Sequence, residues 1–197
     1  FKMSQGEYVN WFDSDDLMLP EKIKYQVNEL ANTKLDMITC FTNTFGSTIL
    51  RKNNRDYFRP KKIETELPSY DLLSGAINFA TPGPLWKKTF LSDEVLFDER
   101  IKKSQEADFN FRICLDGLKF KFIKKTLYKV RREKEEGEIK RKKLTSNPKT
   151  ITSIFLYYEN VFQETLKIES DNIHYEVKNK MLNYAVYRMM FKFTKLR

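Results

Sequence analysis

The 197-residue chain has two cysteines, one histidine and no long apolar run, and each scarcity removes a class of protein. No uninterrupted hydrophobic stretch approaches the roughly 20 residues that a membrane-crossing helix needs. The opening Phe1-Lys2-Met3-Ser4-Gln5 has none of the features of a signal peptide. Cys40 and Cys114 lie far apart, without Cys-x-x-Cys spacing or neighbouring ligands. A zinc site is therefore not expected, and both read as buried free thiols in a reducing, cytoplasmic compartment. The lone His174 falls in a polar helical stretch and reads as a surface residue. What remains is globular in composition, 41% hydrophobic and 14% aromatic, and long enough for one domain plus an appendage.

Charge is plentiful but uneven. Of the net +9, the segment from Lys119 to Lys143 carries +8, with twelve Lys/Arg against four Glu, and the rest of the chain carries +1. A local basic segment suits a diphosphate, an acidic acceptor or an anionic membrane surface. Aromatic residues are not interleaved there in an RNA-binding pattern, so nucleic acid is not an expected partner.

The most informative stretch is Gly6-Glu7-Tyr8-Val9-Asn10-Trp11-Phe12-Asp13-Ser14-Asp15-Asp16. Tyr8 to Phe12 favours a strand, and three carboxylates follow within four residues. Pro20 suits the first turn of a helix reaching Ala31, with Ile23, Val27, Leu30 and Ala31 on its apolar face and Lys22 turned to water. Carboxylates at a strand's carboxyl end occupy the usual ligand position of an open α/β sheet. Their mutual repulsion is relieved by Mg²⁺ or Mn²⁺, with substrate phosphates completing the shell. A solvated acidic turn is the plainer alternative.

Downstream, 35–41 and 45–50 read as strands, 70–77 as a short helix, and 120–130 as one or two basic-faced strands. Thr81-Pro82-Gly83-Pro84 breaks regular structure before Leu85-Trp86. Ser104-Gln105-Glu106-Ala107-Asp108 opens a helix, with Ser104 as N-cap and Gly117 as its stop. A boundary near 143 separates a domain over 1–143 from a helical region over 144–197, in which 150–168 and 172–195 read as helices. The final segment, with Met189, Met190 and Phe191 among basic residues, packs on the domain or a second subunit, or lies on an anionic membrane surface.

Gly-Glu-Tyr-Val-x-x-Phe-Asp-Ser-Asp-Asp followed by Leu-x-Leu-Pro-x-Lys and Gln26 resembles the central segment of family 2 glycosyltransferases. The resemblance covers about residues 5–132. It implies an α/β, GT-A-like mixed sheet flanked by helices, partial at its amino end because almost nothing precedes Tyr8, with a helical appendage behind. It implies inverting transfer of a sugar from a nucleotide-diphospho-sugar to a saccharide or lipid-linked acceptor, in polysaccharide or glycoconjugate assembly at the inner face of the membrane. Asp13 and Asp15 match the metal-holding Asp-x-Asp, with Asp15 the direct ligand. Gln105-Glu106 through Arg112 is similar to the family's base motif, which makes Glu106 the base and leaves Asp108 as its rival. Trp86 and Gly83 fall where acceptor-binding residues stand, and Arg131 or Arg132 where the leaving diphosphate is held. A catalytically incomplete scaffold module, assembling through the C-terminal helices, is the competing expectation.

Overall fold

A computed structural model describes residues 1, 3–46, 59–91, 96–131, 147–169 and 175–193. Its centre is a parallel pair of strands, β3 (Met37–Phe45) and β5 (Phe120–Arg131), in register from Met37 opposite Phe120 to Phe45 opposite Arg131. Residues 37–40 are all buried, because successive side chains point to opposite faces and both faces are covered. Met37 joins Trp86, Phe109, Ile113 and Phe122 on one side, whereas Ile38 joins Leu30 and Leu85 on the other. The register shifts around Phe41, a bulge that bends the pair.

Three short strands complete a mixed sheet. β4 (Leu85–Lys87) pairs antiparallel with β3, β1 (Tyr8–Val9) antiparallel with β4, and β2 (Leu17–Met18) antiparallel with β5. The order is β1-β4-β3-β5-β2, so the short link from β1 to β2 carries the chain from one edge of the sheet to the other. The carboxylates lie in this link.

The first strand is shorter than expected, ending at Val9 rather than Phe12. Asn10 leaves the ladder because its side-chain amide donates to Pro84 O (2.6 Å) and Pro82 O (3.3 Å). Helix α1 (Lys22–Ala31) also corrects the sequence reading, since its buried face is Lys22, Gln26 and Leu30 while Ile23 is exposed. β3 runs past the expected end at Phe41 to Phe45, and of the third strand expected over 45–50, residues 47–50 lie outside the described residues. Helix α2 spans Pro68–Ser74, with Gly75 closing it in the left-handed conformation at φ 70°. Residues 120–131 form one strand rather than two.

Helix α3 (Gln105–Leu115) packs against α2 and against α4 (Pro148–Lys167), and α4 against α5 (Tyr175–Phe193). Asn147 caps α4 by accepting from Lys149 N (2.9 Å), with Pro148 in its first turn. Leu73, Ile101 and Phe111 share one apolar cluster with Ile154, Tyr157, Val161, Met181 and Ala185. The C-terminal helices therefore continue the core that carries α3. The boundary expected near residue 143 lies outside the described residues.

Candidate active site

The acidic turn sits at the carboxyl end of the parallel pair. Asp16 N donates to Asp13 O (3.2 Å), which closes the turn. Asp16 Oδ1 accepts from the backbone N of Arg131 (2.9 Å), the last residue of β5. The Arg131 side chain returns to the turn, its Nε donating to Asp15 O (3.0 Å) while its guanidinium lies 4.8 Å from the Phe45 ring centroid. Asp13 and Asp15 are exposed, and among the described residues neither carboxylate has a hydrogen-bond or ion-pair partner. Two hard oxygen donors fit a divalent cation. No set of three or more His, Cys, Asp or Glu able to hold one occurs among the described residues.

A cavity of about 450 Å³ is lined by Trp11, Phe12, Asp13, Thr81, Phe97, Gln105 and Glu106. It brings together Asp13 and Glu106, which the sequence separates widely; Asp15 is not part of its wall. Glu106 is exposed in the first turn of α3, without a partner for its carboxylate among the described residues. Ser104 holds the N-cap position the sequence suggested, but at φ 70° and without a side-chain capping bond. A serine in the left-handed region is strained, and this one sits two residues before Glu106. The backbone N–H groups of Lys102 and Lys103 both donate to Ser153 Oγ, which ties the approach to α3 onto α4.

Three expected site residues are placed elsewhere. Asp108 is fully buried, with Oδ2 held by Arg112 Nε (2.9 Å) and Oδ1 by Asn160 Nδ2 (3.0 Å). Its carboxylate joins α3 to α4 and has no path to a hydroxyl in the cavity. Trp86 is 1% exposed and packs in the central cluster, so it offers no face to a sugar. Gly83 is also buried: its carbonyl accepts from Gln26 Nε2 (2.8 Å), and a Cβ there would stand 3.0 Å from Thr39 Oγ1. Glycine is kept there by close packing rather than by an acceptor. Arg132 lies outside the described residues, whereas Arg131 is at the turn.

Trp11 is the wall residue that sequence reasoning passed over. It is half-buried and makes edge contacts with Trp86, Phe97 and Phe109 at centroid distances of 6.3, 5.4 and 5.6 Å. Its place two residues before Asp13 was the available signal. The strand pattern concealed it, because the chain has already left β1 when it reaches Trp11.

Lys22 belongs to the support of the site. It is fully buried, donating to Gln26 Oε1 (2.8 Å) and Asn10 Oδ1 (3.3 Å). Gln26 in turn donates to Ile38 O and Gly83 O. Strand β1, helix α1, strand β3 and the Pro-Gly-Pro loop are thereby joined by one buried polar array. Burial lowers the Lys22 pKa to about 8 from 10.5, opposed by the nearby Cys40, whose own thiol burial pushes up to about 11. At Lys22 the folded chain thus holds fewer protons than the unfolded one between about pH 8 and 10.5, so this residue's contribution to stability rises with pH across that window, while that of the raised Cys40 thiol falls. Lys22→Met removes this rise. Comparing denaturant unfolding of the two full-length proteins at pH 7.5 and 10.5 reads a relative gain of up to roughly 3 kcal/mol for the unsubstituted one.

No protein-family model matches the chain. In sequence it is 32% identical to an uncharacterized glycosyltransferase of Rickettsia typhi, over 56% of this chain and 35% of that protein. It is 26% identical to an uncharacterized glycosyltransferase of Methanocaldococcus jannaschii, over 73% of this chain and 49% of that one. The chain spans at most about half the length of these relatives. Among solved structures, S. aureus TarS 1-349 in complex with UDP-GlcNAc superposes with a TM-score of 0.64 at 16% identity, covering 96% of this chain and 50% of TarS 1-349. The fold is a glycosyltransferase fold. The TarS fragment in complex with UDP matches with a TM-score of 0.53 over 99% of this chain. Among the described residues no helix is long and apolar enough to cross a membrane.

Proposed function

We propose that the full-length protein is a metal-dependent, inverting glycosyltransferase of the family 2 type, moving a sugar from a nucleotide-diphospho-sugar to an acceptor hydroxyl in glycan assembly. The observation that carries this is the shared cavity of Asp13 and Glu106. Inversion by direct displacement requires a base at the attacking hydroxyl and charge neutralisation at the departing diphosphate. Those two tasks need carboxylates in different surroundings.

Glu106 meets the first requirement, being exposed, unpaired among the described residues and on the cavity wall. It accepts the proton of the acceptor hydroxyl as that oxygen attacks the anomeric carbon. Asp13 and Asp15 hold the divalent cation, which when bound supplies Lewis-acid stabilisation of the leaving diphosphate. Arg131 stands beside the same turn, and its guanidinium matches phosphate geometry. Trp11 and Phe97 form the apolar wall that suits the less polar face of a sugar ring, a task for which the family resemblance had pointed to Trp86, with a core position as its alternative.

The test is binding of a nucleoside diphosphate to the full-length protein with and without Mn²⁺. Asp13→Ala and Asp15→Ala should each abolish the Mn²⁺-dependent part of the affinity. Metal dependence that survives in either variant removes that residue from the ligand set, and survival in both overturns the metal assignment.

A further inference from the structure

Glu106 also lines a second, larger cavity of about 710 Å³, bordered by Arg59, Lys61, Asn78, Asn110 and Tyr157 among others. Resting on the transferase reading above, we infer that this groove receives the acceptor and that the acceptor is anionic, bearing phosphate or carboxylate groups next to the hydroxyl presented to Glu106.

The charges on the wall carry the inference. Arg59 and Lys61 line the groove, and neither forms an ion pair with a carboxylate among the described residues. Their neighbour Lys62 is different: its Nζ sits 3.0 Å from Asp71 Oδ1, so that cation is already neutralised. The Arg59 guanidinium lies 5.1 Å from the Phe41 ring centroid, a stacking arrangement that orients the planar group while leaving its donors available. Among the described residues, Glu106 is the only acidic one on this wall. Two cations against one carboxylate in a concave site concentrate field lines and favour an anionic ligand.

A buried polar atom points to the same groove. Asn110, one helical turn after Glu106, is 5% exposed and lines both this cavity and the small one beneath Trp11. Its Nδ2 donates to Phe79 O (3.0 Å), and among the described residues its Oδ1 accepts nothing. Buried side-chain oxygens are rarely left without a partner. A hydroxyl of a bound acceptor supplies the missing donor, and it does so on the helix face that carries the base.

The full-length protein, with Mn²⁺ and a nucleoside diphosphate saturating the first cavity, is titrated calorimetrically with glucose, glucose 6-phosphate and glucuronate. The expected result is at least tenfold tighter binding of one or both anions than of glucose. In Arg59→Gln/Lys61→Gln that preference should vanish while diphosphate affinity stays unchanged. Both substituted side chains are exposed, so the double variant is expected to fold. Preference for glucose 6-phosphate alone identifies a phosphate-bearing acceptor, and preference for glucuronate alone a carboxylate-bearing one. Equal affinities, no measurable binding of either anion, or a preference that survives the double substitution overturns the inference. Failure of the diphosphate to bind in the unsubstituted protein overturns the transferase reading itself, and with it this inference.

Discussion

Glu106→Gln in the full-length protein is expected to lower sugar-transfer turnover by about 10²- to 10⁴-fold, the usual contribution of a positioned general base. The amide occupies the same volume, and the carboxylate it replaces is exposed and bonded to no described residue, so folding is not at stake. Asp13, Asp15 and the turn around Arg131 are untouched. Mn²⁺ and nucleoside diphosphate should therefore bind with unchanged affinity, and the loss should appear in turnover rather than in the donor's KM. Initial rates of transfer together with calorimetric donor binding make the measurement. Turnover within a few-fold of the parent removes Glu106 from the chemical step.

Asp108→Ala has a different signature. Its carboxylate is completely buried between Arg112 and Asn160. Arg112 is itself mostly buried, and its Nη2 also donates to Leu96 O (2.7 Å). Asn160 also reaches Asp98 (3.3 Å), a carboxylate that hydrogen bonds from Arg100 hold far below its ordinary pKa. Removing Asp108 takes away the buried carboxylate to which both Arg112 Nε and Asn160 Nδ2 donate. Truncating one partner of such a pair costs about 3–5 kcal/mol, and urea unfolding should show a correspondingly lower midpoint at unchanged m-value. Asp108→Asn separates structure from chemistry. If it folds like the parent yet transfers no sugar, while Glu106→Gln remains active, the base is Asp108.

The two carboxylates are two residues apart on one helix, and the sequence offered no means of ranking them beyond family resemblance. An α-helix turns about 100° per residue, so Glu106 and Asp108 face widely different directions. Which of them meets a cavity depends on how α3 rolls against α2 and α4. Trp86 and Trp11 present the same problem. Both are aromatic residues near a loop, and only the packing of Phe97 and Phe109 decides which one borders open space. Lys22 was assigned to water because a lysine on a helix normally belongs there. Asn10 and Gln26, distant in sequence from the Pro-Gly-Pro loop they bind, make its burial possible.

Arg59 and Lys61 were similarly hidden, because no motif or periodicity singles out either charge. Lys62 pairs with Asp71 while among the described residues its neighbour Lys61 pairs with no carboxylate, and sequence cannot express that difference.

By itself the sequence determined the mixed α/β class, the strand-forming segments that became β3 and β5, and the helices from 105 onward. These follow from local propensity, hydrophobic period and residue order, which act over a few positions. Only the tertiary structure decided that Glu106 and Asp13 share a cavity, that Asp108, Trp86 and Gly83 are interior, and that β1 ends at Val9. Each of those facts depends on contacts between segments far apart along the chain, and such contacts exist only after the sheet has closed and the helices have packed upon it.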